Sequence, residues 1–125
     1  MTIIEELTQK YNLKPQSYLT SNIWKLKDDE FLDSAARHKQ LQNKWKHKYG
    51  HGWYGIDMTD RLPILFYDVV DEFLEWVNKN NPDFEIQQIK QKFVDIRIHL
   101  GNIDEKTGNY CWDLTDLLSD VNIMY

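Results

Sequence analysis

The sequence predicts an α+β fold, with three or four helices packed on a small antiparallel sheet that closes in a C-terminal β-hairpin. Two patterns carry that expectation. Apolar residues recur at three- and four-residue steps through 28–49 and fill most of 64–77, as they do in helices that bury one side or more. Val94, Ile96, Ile98 and Leu100 alternate with Asp95, Arg97 and His99, the period of a half-buried strand. The 125 residues are 42% hydrophobic and hold five Trp, seven Tyr and five Phe, enough for one core and a single domain over 1–125.

Each element has a local reason. Thr2 is placed to cap a short helix over 2–11 in which Ile3, Ile4, Leu7 and Tyr11 share a side. Pro15 and its polar neighbours make 12–22 a loop, and 23–27 reads as a weak edge strand. In 28–49 Phe31, Ala35, His38, Leu41, Trp45 and Tyr49 form the inward stripe; acids open that helix, bases close it, and Gly50 ends it. Pro63 suits the first turn of the next helix, whose Asp68, Asp71, Glu72 and Glu75 fall on one stripe and so predict an acidic outer face. Asn80-Asn81-Pro82 stops it. Ile86, Ile89 and Phe93 fit a short helix or a strand, and we lean to the strand. Residues 104–109 have turn chemistry, which predicts a hairpin between 94–100 and Tyr110-Cys111-Trp112, with the sheet built around 93–113. A last helix over 114–121 would be capped by Asp113 or Thr115.

Charge is unevenly placed. Residues 1–62 hold ten Lys/Arg and eight Asp/Glu, whereas 63–125 hold five and twelve, in a chain of net charge −5. Residues 34–56 contain no acid at all, and on the helical wheel Arg37, Lys44 and Lys48 form a basic flank that runs toward Gly50-His51-Gly52-Trp53-Tyr54-Gly55. One cysteine, Cys111, allows no internal disulfide, and the opening Met-Thr-Ile-Ile-Glu-Glu has neither a basic leader nor a long apolar run. A cytoplasmic protein with no membrane span is expected.

Gly50-His51-Gly52-Trp53, a following apolar helix, and Gln88-Ile89-Lys90-Gln91-Lys92-Phe93 leading into a strand together resemble a pattern in small uncharacterised bacterial and phage proteins. Their Gly-Asp-Gly-Trp turn has His51 in place of Asp here, and Val94-Asp95 stands where a Gly pair is usual. The resemblance spans roughly 50–100, implies a bacterial or phage source, supports a strand from 93, and brings no activity with it.

No catalytic, cofactor or metal signature stands out. His47 and His51 are separated by Gly50 and lack further ligands, so no metal is expected. His38 reads as a hydrogen-bonded core residue, and Cys111 between two aromatics as a small hydrophobe. An enzyme built near His51 and Asp57 is the weakest reading. The stronger one is a non-enzymatic inhibitor, of the phage anti-defence or bacterial immunity type, that blocks a partner protein without any cofactor. Its expected contacts are Asp68, Asp71, Glu72 and Glu75, or the loop residues His51, Trp53 and Tyr54. The alternative is nucleic-acid binding by Arg37, Lys44, Lys48, Trp53 and Tyr54, cations for phosphates and aromatics for bases.

Overall fold

Among the described residues, four helices and a three-stranded sheet share one hydrophobic core. The computed structural model describes residues 1–13, 28–50, 54–92 and 95–124. In chain order the elements are α1 (Ile3–Lys10), α2 (Asp28–Trp45) with a 3-10 turn at Lys46–Lys48, β1 (Gly55–Asp57), α3 (Ile64–Asn80), β2 (Glu85–Lys92), β3 (Asp95–Gly101) and α4 (Glu105–Met124). The fold class is the expected α+β, with two corrections to the sheet. The sheet is mixed: β1 runs parallel to β2, with α3 as the crossover, and only β2 and β3 are antiparallel. The hairpin joins β2 to β3, so 85–92 is strand, while Tyr110, Cys111 and Trp112 lie inside α4.

The turn-like 104–109 is a helix start. Asp104 Oδ1 accepts the Thr107 N–H at 2.7 Å, which makes Asp104 the cap in place of Asp113 or Thr115. Hydrogen bonding from the Thr107 side chain, and then from that N–H, holds its carboxyl below the ordinary value. Asn81, just past the end of α3, fixes the same turn by accepting the Asp104 N–H and donating to Thr107 Oγ1, both at 2.9 Å. Thr107, Cys111, Leu114 and Leu118 are then the buried stripe of α4, at steps of four, three and four.

α1 begins as expected, with Thr2 Oγ1 accepting the Glu5 N–H at 3.1 Å and Ile3 and Leu7 buried. α3 is the central element: Phe66, Tyr67, Val69, Val70, Phe73, Leu74 and Val77 are all buried. Against it pack Leu41 and Trp45 of α2, and from the sheet Ile56, Ile89 and Ile98, which stand side by side across the three strands. The opposite sheet face carries Asp57, Lys90, Arg97 and His99, all exposed. Among the described residues no helix is long and apolar enough to cross a membrane. Residues 14–22 of the loop expected over 12–22, the weak strand at 23–27, and Phe93 and Val94 lie outside the described residues.

Candidate functional site

The acidic stripe of α3 and the basic flank of α2 meet each other. Arg37 donates from Nε to Asp68 at 2.8 Å and from Nη2 to Asp71 at 2.9 Å. Lys44 bridges Asp71 at 2.9 Å and Glu75 at 2.6 Å, and Trp45 Nε1 adds a third donor to Asp71 at 2.9 Å. From α1, Lys10 and the Tyr11 hydroxyl both reach Glu72. The predicted acidic outer face is therefore the seam that clamps α1 and α2 to α3. Helical spacing placed the four carboxylates on one stripe but could not show that α1 and α2 would supply cations along it.

The electrostatics fit that use. Burial opposes the charge of Asp71, yet its bonds from Lys44, Trp45 and Arg37 outweigh burial and hold its carboxyl below the ordinary value. Burial likewise works against Arg37 and Lys44, and their carboxylate partners more than offset it, raising both. The Tyr11 hydroxyl is pushed up by burial and by its bond to Glu72.

The other expected contacts are dispersed. Lys48 leaves the basic flank to donate to the Pro82 carbonyl at 2.5 Å and to lie over the Phe84 ring. Tyr54 is 80% exposed at the start of β1, whereas His51 and Trp53 lie outside the described residues. The helix expected over 28–49 stops short of Tyr49: Tyr49 and Gly50 instead pair with Ile86 of β2, extending the sheet. Gly55 has φ +71°, and a side chain there would collide with the Tyr49 ring, so glycine is required.

His38 and Asp60 look at first like a general acid–base pair, with Nδ1 2.7 Å from Asp60 Oδ1. The second ring nitrogen decides otherwise. Nε2 accepts the Met58 N–H at 3.1 Å, the ring stacks on Tyr67, and the residue is 2% exposed. Both ring nitrogens are thus engaged within the chain. The pair instead braces 58–62, together with Tyr67, whose hydroxyl donates to the Thr59 carbonyl at 2.5 Å and accepts the Leu62 N–H at 3.2 Å. This brace holds Thr59 at φ 77°, a conformation β-branched residues rarely adopt. Among the described residues no three His, Cys, Asp or Glu side chains converge as metal ligands.

The site that sequence reading missed is a groove between β3 and α4, with a volume of about 760 Å³. β3 forms one wall, with Arg97 and His99 exposed beside it; α4 supplies Gly108, Trp112, Asp116 and Asp120 on the other. Trp112 is 67% exposed. Neither Arg97, Asp116 nor Asp120 makes an ion pair among the described residues. Cys111 lies at the floor, where burial pushes its thiol up to about 12, so it stays protonated and is a poor nucleophile at neutral pH. Reading Trp112 as a strand residue hid the groove; the stripe from Thr107 to Leu118 was the signal that would have found it. No family model, curated protein or solved structure matches the chain.

Proposed function

We propose that the protein is a non-enzymatic inhibitor that binds and blocks a partner protein, and that the β3–α4 groove is where the partner docks. The observation that carries this is the contrast in charge use: the carboxylates of α3 are bound within the chain, whereas the groove offers Arg97, Asp116 and Asp120, which make no ion pair among the described residues, around an exposed Trp112. Exposed aromatics ringed by polar groups are the usual anchors of protein interfaces. A phage anti-defence or bacterial immunity protein acting in the cytoplasm is the class we favour, on the sequence resemblance. The contacts expected from sequence shift accordingly from Asp68, Asp71, Glu72 and Glu75 to the groove.

Nucleic-acid binding through α2 draws little support, because Arg37 and Lys44 are already committed to carboxylates and Lys48 to a carbonyl. The test is capture from host lysate with tagged wild type, Trp112→Ala and Lys39→Ala, each with and without nuclease. A nuclease-resistant protein retained by wild type and Lys39→Ala but lost by Trp112→Ala supports the reading. Capture of nucleic acid alone, or equal retention by all three, counts against it.

A further inference from the structure

β3 ends the sheet, and its backbone direction can be read from one bond. The Ile96 N–H donates to Ser119 Oγ at 3.0 Å, outward and away from β2. Because backbone groups along a strand alternate with period two, Ile98 and Leu100 turn theirs the same way, into the groove, while Arg97 and His99 turn theirs toward β2. Ser119 thus covers one end of the edge, and among the described residues no other strand pairs along the rest of it. An open edge of this kind is a template for another strand.

We infer that the groove takes an extended segment of the partner protein as a fourth strand beside β3, a mode of recognition that rests on the docking site proposed above. Gly108 supplies an independent reason. A glycine inside a helix costs about 1 kcal/mol relative to alanine. Here neither backbone nor packing asks for it, since an added Cβ would meet nothing nearer than Ile103 Cδ1, at 3.9 Å. The missing side chain instead leaves room on the groove wall for another chain.

The walls state what that segment looks like. Side chains of an added strand alternate between the two sheet faces. Those on the exposed face pass Arg97 and His99 and are matched by acids. Those on the helix side pass Gly108 and Trp112 and then Asp116 and Asp120, which suits apolar residues and lysine or arginine. A second copy of this chain fits poorly. Paired antiparallel about Ile98, it would give Arg97 no carboxylate partner, only the other copy's His99, and would bring two flanks bearing the negative Asp116 and Asp120 to the same side. Like charges placed opposite one another oppose pairing.

The probes are short peptides titrated into the full chain: one alternating Glu with Leu and Lys, an isomer of the same composition with the acids grouped together, and the alternating peptide N-methylated at every second residue. Binding of the alternating peptide should slow amide exchange at Ile98 and Leu100, while the N-methylated form, unable to make the backbone bonds, should bind about tenfold more weakly or worse. Gly108→Leu should weaken peptide binding by a similar factor without lowering the melting temperature. Strand addition is overturned if N-methylation leaves affinity unchanged, if protection appears away from β3, or if no peptide binds at millimolar concentration. Capture of the lysate partner separates the two claims. Loss of capture in Gly108→Leu together with any of those peptide results rejects the added strand and leaves the docking site standing. Undiminished capture by Gly108→Leu rejects the docking site and the added strand with it.

Discussion

The α2–α3 seam and the β3–α4 groove use similar side chains to opposite ends. In the seam, Arg37 and Lys44 face Asp68, Asp71 and Glu75, and the carboxylate with the most partners, Asp71, is also the most buried of them. In the groove, Arg97 on one wall and Asp116 and Asp120 on the other stay solvated and apart. A charge that is half-buried and multiply bonded is committed to folding, because removing its partners leaves a desolvated ion. A charge in water costs little to keep and stays free to meet another molecule. Charge patterns read from sequence cannot separate these cases until the packing is known.

Substitutions that break the seam should have the largest effect. Asp71→Ala removes the acceptor of three donors and should cost about 3 kcal/mol in urea unfolding, with nothing comparable from any single groove charge. The same carboxyl sets a pH dependence. Its pKa is lower in the folded chain than in the unfolded one, so its contribution is complete above the unfolded value near 4 and fades as pH falls through the folded value. Asp71→Asn should flatten that acid limb of the stability profile.

Tyr67→Phe comes next. It strands the buried Leu62 N–H and the Thr59 carbonyl, for a loss of about 2 kcal/mol by thermal or urea unfolding. Burial raises the Tyr67 hydroxyl pKa, so its stabilisation is whole below the unfolded value near 10 and is lost as pH rises toward the folded one. Gly108→Ala should move the other way, raising stability by about 1 kcal/mol while narrowing the groove, a trade expected where a site costs the fold something. Asp120→Asn should change stability by less than about 0.5 kcal/mol, and a larger loss would mean the groove is a structural seam as well.

Much of the fold was legible because burial imposes periods. The stripe from His38 to Trp45, the seven buried positions of α3 and the alternation of β3 all follow from it. What stayed hidden depended on tertiary partners. β1 is three residues long and exists because β2 pairs with it. The start of α4 looks like a turn because Asp104, Thr107 and Gly108 are turn formers, and only the cap bond and the link to Asn81 make them helical. That one misplaced boundary turned Trp112 from a groove residue into a strand residue, and the candidate site went with it.

Hydrogen exchange on the protein alone and bound to its captured partner tests the docking site most directly. Protection concentrated in β3 and along α4 from Gly108 to Asp120, with α2 unchanged, is the predicted result. Protection over 37–48 or around Tyr54, with β3 and α4 exchanging as before, would contradict it.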